Sequence, residues 1–182
     1  MPSQSFIRPE QLWHDVGLRA GQTVAHLGCG PGFYLIPAAK IVGATGKAIG
    51  VDVQAQLLAE AESRAAREGV GDIVYTVRGN IENQGGSTLP EQSADWVLVA
   101  NILHQAPPAK VLAEAARIVK ENGRVIVVEW SPGASPFGPP IEARIAKPEA
   151  VAAAEGCGLT IVREWQPSAY HYGLILGYGA AI

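Results

Sequence analysis

Cysteine is scarce in this chain. There are two, Cys29 and Cys157, and Cys29 lies inside a tight glycine turn that suits a disulfide poorly. Free thiols point to a reducing, cytoplasmic setting rather than a disulfide-stapled secreted class. Charge is thin as well. Charged residues make up 17% of the chain, 14 basic against 17 acidic, for a net charge of −3 with no block of like charges. That balance argues against a nucleic-acid footprint. Long apolar runs are missing: stretches such as Val125–Val128 are strand-sized, so no transmembrane helix and no membrane association are expected. The first nine residues lack the apolar region of a signal peptide. No cluster of carboxylates suggests a magnesium site, so no metal is expected. Repeats and low-complexity tails are absent.

What remains is an ordinary globular composition. Hydrophobic residues reach 48% of 182, enough for one domain that hides roughly 70% of its unfolded surface. Apolar runs alternate with helical patterns after a short leading helix over 8–17. Strands are expected at 23–27, 48–53, 73–78, 94–100 and 124–129, with helices at 33–42, 54–68 and 108–120 between them. Strands alternating with helices predict a parallel sheet covered on both faces. The ending differs. A helix over 148–155 precedes strands at 159–165 and 170–178, joined by a connection too short for a parallel crossover. The expected fold is therefore α/β, Rossmann-like, with an antiparallel C-terminal hairpin. The segment 131–140, with four prolines and two glycines, reads as a loop.

The first strand runs directly into Gly28-Cys29-Gly30-Pro31-Gly32 and then a helix. Glycines let backbone approach a ligand closely, and a helix N-terminus offers unpaired N–H groups. A dinucleotide fingerprint would need glycine at position 33. Phe33 stands there, which weighs against a nicotinamide oxidoreductase and suits a ligand without a pyrophosphate, such as S-adenosylmethionine. Asp52 ends the second strand about 20 residues later, where a carboxylate can accept ribose hydroxyls or cap the following helix.

Five segments sharpen this reading: Val24–Gly32, Gly50–Asp52, Gly79–Ile81, Ala94–Asn101 and Val119–Glu129. In order, they resemble the successive motifs of class I S-adenosylmethionine-dependent methyltransferases, and in particular small relatives of the ubiquinone/menaquinone-biosynthesis branch. The resemblance covers roughly residues 9–178. It implies a seven-stranded, mostly parallel sheet in the order 3-2-1-4-5-7-6, with helices on both faces and strand 7 antiparallel. It also implies S-adenosylmethionine as cofactor, S-adenosylhomocysteine as product and a small-molecule methyl acceptor. Gly28, Gly30 and Gly32, with Cys29 and Phe33 in the same turn, match the methionine-binding segment. Asp52 and Val53 match the ribose and adenine-face positions, Asn80 and Ile81 the adenine edge, and Asn101 the end of the fourth strand beside the methionine. Two departures stand out. His26 occupies a position that is usually acidic, and Asn80 one that is usually Asp. A neutral His26, or one bridged by water, would avoid repelling the cofactor's positive charges. A non-catalytic S-adenosylmethionine-binding module is the alternative these departures keep open.

Methyl transfer asks for alignment and, where the nucleophile carries a proton, a general base. His104 follows the fourth strand and is one candidate; an exposed loop histidine or a capping contact is the plainer expectation. His171, with Tyr170 and Tyr172, is a second candidate on the last hairpin. Tyr34 suits a cofactor cover or core packing. Arg144 suits an acidic acceptor or a surface ion pair. The short N-terminal segment leaves little chain for a lid, so the cleft is either open or completed by a second subunit in a homodimer.

Overall fold

In the computed structural model, which describes residues 6–133 and 135–179, seven strands form one sheet in the order β3-β2-β1-β4-β5-β7-β6. The strands are β1 Thr23–Leu27, β2 Lys47–Asp52, β3 Val74–Arg78, β4 Ala94–Ala100, β5 Val119–Trp130, β6 Leu159–Ser168 and β7 His171–Tyr178. The first five pair in parallel, and β7 runs antiparallel to both β5 and β6. The helices are α1 Pro9–Val16, α2 Leu35–Val42, α3 Ala55–Arg67, α4 Pro108–Ile118 and α5 Lys147–Glu155. Among the described residues no helix is long and apolar enough to cross a membrane.

Strand alternation splits the core in two. Val97, Val99, Val125 and Val127 pack against Leu112 and Ala115 of α4 and Ala150 and Ala154 of α5. Val24, Leu98, Ile126 and Val128 face the other way, onto Leu12 and Trp13 of α1 and Ala38 and Val42 of α2. Central strands buried on both faces read as unbroken apolar runs, which is why β4 and β5 were legible. The helix expected to reach Lys120 instead stops at Ile118, because Val119 already pairs with Ala94 in the sheet. The register then shifts before Trp96 meets Arg124. Gly123 packs so closely on Asp95 O, 2.8 Å from an ideal Cβ, that a side chain would not fit there. Lys120 is drawn inward to Asp95, Nζ to Oδ1 2.7 Å, and the other Asp95 oxygen accepts from Thr23 N at 2.8 Å. Helix α2 also begins later than expected, at Leu35, leaving Phe33 in the turn.

Candidate functional site

Chain connections leave β1 and β4 in opposite directions across the sheet, so a crevice opens at their carboxyl ends. It holds a cleft of about 310 Å³. Gly28 and Gly30 line it from β1, Asp52 and Val53 from β2, Asn80 and Ile81 from β3, and Asn101, Ile102 and Gln105 from β4.

The glycine turn is closed on itself. Gly28 N and Cys29 N both donate to Val51 O, at 2.8 and 3.0 Å, and Gly32 N donates to Cys29 O at 3.1 Å. Gly30 N donates to Asp52 Oδ2 at 2.9 Å. The N–H groups of Gly28, Cys29, Gly30 and Gly32 are thus satisfied inside the fold, and Pro31 has none. Gly28, Gly30 and Gly32 all have positive φ, and an ideal Cβ on Gly28 would lie 3.1 Å from Ile102. Gly32 faces away from the cleft, against Ile36 and Ala61. The Cys29 thiol lies over Gly50, and burial, reinforced by the Asp52 charge, pushes it up to about 12. Phe33 is exposed outside the cleft lining, its ring edge-on to Tyr34.

Asp52 does not cap α3, which has no side-chain cap; its carboxylate is held by the backbone on both sides. Its Oδ1 accepts from Gln54 N at 2.9 Å, at the start of α3, while Oδ2 holds Gly30. A carboxylate accepts about four hydrogen bonds, so two acceptor positions remain toward the cleft. Asn80 likewise uses Oδ1 locally, accepting from Glu82 N at 2.9 Å. The loop carrying it is pinned from below by Glu114, a fully buried residue with no counterpart in the sequence reading. Glu114 accepts from Gly85 N, Ser87 and the Arg117 guanidinium. Burial alone would raise its carboxyl; Arg117, Ser87 and the backbone donors outweigh it and hold Glu114 at about 2.

His26 lies beneath the site rather than in its lining. It is 2% exposed, its ring meets Tyr34 edge-on at 5.6 Å, and neither nitrogen has a hydrogen-bond partner. Burial lowers its pKa to about 3, so it is neutral at physiological pH. The expected charge conflict with a cationic ligand does not arise.

At the far end of the cleft Asn101 has φ +54°, and its Oδ1 is buried without a partner. A strained residue with an orphan acceptor at a cleft is a mark of function. Three residues on, His104 Nδ1 meets Glu129 Oε1 at 3.1 Å. It is neither an exposed loop histidine nor a cap. Glu129 is fully buried, and it also accepts from Leu103 N at 2.9 Å and Trp130 N at 3.0 Å. A carboxylate on Nδ1–H leaves Nε2 as the acceptor nitrogen. Gln105 Nε2 sits 3.1 Å from it, and Gln105 lines the cleft whereas His104 does not. In the sequence Glu129 stands only as the end of the fifth motif segment. The signal that would have singled it out is an acid closing the apolar run 125–128.

His171 is not brought to this cleft. Its Nδ1 lies 2.7 Å from Ser168 Oγ, its ring packs 4.1 Å from that of Trp130, and its Nε2 is buried unpartnered. Burial, then the neighbouring Arg144 charge, lower it to about 4. Tyr172 is also buried, its hydroxyl donating to Ile145 O at 3.0 Å. Arg144 meets neither fate expected of it. It is buried, and its guanidinium donates to the carbonyls of Pro139, Ser131, Gly133 and Phe137 and to Ser135 Oγ, at 2.8–3.0 Å.

The sheet order and the crevice at its β1/β4 edge define a Rossmann-like protein that binds a nucleoside-bearing ligand. Residues 18–166 match the methyltransferase domain family, and the chain belongs to it, as a class I S-adenosylmethionine-dependent methyltransferase. It is 31% identical over 81% of its length to a nocamycin O-methyltransferase from Saccharothrix syringae, covering 55% of that protein. It is 30% identical over 72% of its length to a demethylmenaquinone methyltransferase from Lactiplantibacillus plantarum, again covering 55%. The chain spans about half the length of most of the curated relatives it matches. Among solved structures, an S-adenosylmethionine-dependent methyltransferase from Aquifex aeolicus superposes with a TM-score of 0.85 at 27% identity, covering 93% of this chain and 89% of that one.

Proposed function

We propose that this chain transfers a methyl group from S-adenosylmethionine to a small-molecule acceptor whose attacking atom carries a proton. The observation that carries the reading is the pairing of one feature in the cleft with another just beyond it. At one end Asp52 presents unused acceptor positions; beyond the other end lies an imidazole oriented by a buried carboxylate. The donor set fits the cofactor. Asp52 suits vicinal hydroxyls, the Asn80–Ile81 segment an adenine edge, and the orphaned Asn101 Oδ1 an ammonium donor.

When bound, S-adenosylmethionine supplies a methyl group on a sulfonium, a leaving group that needs no acid. The protein's part is then alignment and proton removal. His104 Nε2 takes the acceptor's proton, and Glu129 holds Nδ1–H and stabilises the resulting imidazolium, as a buried acid does for other catalytic histidines. Glu129 is a positioning residue in this scheme. Gln105 has to turn aside before an acceptor can reach Nε2. Free Cys29 and Cys157 support a cytoplasmic setting.

Titration calorimetry with S-adenosylhomocysteine tests the cofactor half, and saturable binding is expected. Turnover across phenols, quinols, thiols and amines tests the transfer. Binding with no turnover anywhere would favour the second reading, a non-catalytic cofactor-binding module, for which the absence of a carboxylate at position 26 speaks.

A further inference from the structure

Charge in the cofactor cleft has one sign. Asp52 and Glu82 are the charged residues among its described lining, and no lysine, arginine or histidine joins them. Nearby cations are engaged elsewhere. Arg78, opposite Asp52 in the β2–β3 register, donates from Nε to Val53 O at 3.2 Å and lines only an open shelf with Val53, Gly79 and Asn80. Arg64 donates to Pro31 O at 2.9 Å and does not line the cleft. The side formed by Gly28, Asn101, Ile102, Gln105 and Ala106 carries no charge of either sign. His26 adds none from below, being neutral and without a hydrogen-bond partner. Buried Glu129 is occupied by Leu103 N, Trp130 N and His104. The N–H groups of Gly28, Cys29, Gly30 and Gly32, another means of holding an anion, are already donated within the fold.

Such a cleft treats the two halves of an S-adenosyl ligand differently. The nucleoside is uncharged, and its hydroxyls and base edge have Asp52 and the Asn80–Ile81 segment to meet. The amino-acid tail is a zwitterion. Its carboxylate finds no cation and two like charges in the described lining. An anion taken out of water without a partner is costly, so the tail gains nothing by burying it. Its ammonium finds one neutral acceptor, the orphaned Asn101 Oδ1, and a single hydrogen bond of that kind has a small net worth.

We propose that the cleft recognises its ligand through the nucleoside and leaves the amino-acid tail, seated at the neutral Asn101 end, almost unread, so that uncharged 5′-thioether nucleosides bind as well as S-adenosylhomocysteine and compete for the same place. This rests on the methyltransferase reading above, and the test separates the two. 5′-Methylthioadenosine keeps the adenosine and the thioether of S-adenosylhomocysteine and lacks the tail. Titration calorimetry on the intact protein at neutral pH should give the two ligands dissociation constants within about threefold of each other. 5′-Methylthioadenosine should give no further binding once S-adenosylhomocysteine saturates the cleft. Asp52→Asn should weaken both ligands by a common factor of about tenfold or more. Asn101→Asp has the same shape and the same tolerance of positive φ. By giving the ammonium a charged acceptor it should tighten S-adenosylhomocysteine about fivefold or more and leave 5′-methylthioadenosine within about twofold. A preference for S-adenosylhomocysteine above threefold in the unmodified protein overturns the proposal, whether or not either variant folds. Additional binding to the saturated protein overturns it too, as does an Asp52→Asn loss that is absent or confined to one ligand, or an Asn101→Asp protein in which neither affinity changes. Failure of both ligands to bind would instead remove the cofactor reading on which the proposal stands.

Discussion

His26 shows what one residue can do to the chemistry of a site from below it. Two unpartnered nitrogens in the core cost stability, and replacing such a group with an apolar one of similar size is neutral or favourable. His26→Leu should therefore raise unfolding free energy by about 1–2 kcal/mol at pH 7. The pH dependence follows from linkage. The folded-state value is about 3 against an unfolded 6.5. Between those limits the unfolded chain binds the extra proton, so stability is complete above pH 6.5 and falls as pH drops toward 3. From pH 7 to 5 this one residue should remove about 2 kcal/mol, read by urea denaturation at both pH values. His26→Leu should flatten the profile by that amount; an unchanged slope would mean that His26 charges freely in the fold. Asp52 carries a second expectation. Asp52→Ala should weaken S-adenosylhomocysteine by about 1–3 kcal/mol, and calorimetry on the folded variant decides whether the carboxylate serves the ligand or only the turn. For His104, a Gln variant should lose about 100- to 10,000-fold in turnover while binding the cofactor product normally. Its full activity would move the base elsewhere.

At the scale of elements, β1, β4 and the second half of β5 could be read from the sequence because central parallel strands have no polar face, edge strand β3 by its alternation, and the helices between them because each has one apolar and one polar face. The glycine turn and Asp52 were legible because spacing alone constrains them. What could not be read lies where side chains from distant segments meet. Glu114 looks like an ordinary helix acid by pattern, yet it anchors the loop that carries Asn80 and Ile81. Arg144 looks like a surface arginine, yet it is the core of its own loop. Lys120 looks helical, but Val119 before it already pairs with Ala94 in the sheet. The Glu114 anchor has a measurable consequence. Its folded value of about 2 against 4.5 unfolded gives stability that is present above pH 4.5 and is lost as pH falls toward 2, worth about 3 kcal/mol in all. Removing one partner of a buried pair is costlier, about 3–5 kcal/mol. Arg117→Met should thus speed hydrogen exchange at the amides of Gly85 and Ser87, whose acceptor is Glu114, and weaken S-adenosylhomocysteine through the loosened Gly79–Ile81 edge. Exchange as slow as in the unmodified protein would show that the loop holds itself.

The whole molecule enters through the way the cleft is assembled. Its lining comes from the ends of four strands, so a ligand seated there bridges segments that are distant in the sequence. Binding to the folded state alone adds about 2.7 kcal/mol when the ligand is at 100 times its Kd. For a chain of this size that corresponds to a rise of roughly 5–11 °C in melting temperature. S-adenosylhomocysteine should produce a shift of this order. NADH should not, and the reason is in the backbone rather than in the spacing that first suggested it. A pyrophosphate sits on free N–H groups at a glycine turn, whereas Gly28, Cys29, Gly30 and Gly32 have already donated theirs to Val51, Asp52 and Cys29. Accepting a pyrophosphate at these four residues would require breaking the hydrogen bonds that close β1 onto β2, and with them the seat of Asp52, and Phe33, Tyr34 and Leu35 after them do not line the cleft. A scan in which NADH matches S-adenosylhomocysteine would mean that the turn opens on binding. A scan in which Asp52→Ala abolishes the S-adenosylhomocysteine shift without lowering the unliganded melting temperature would place that carboxylate at the ligand.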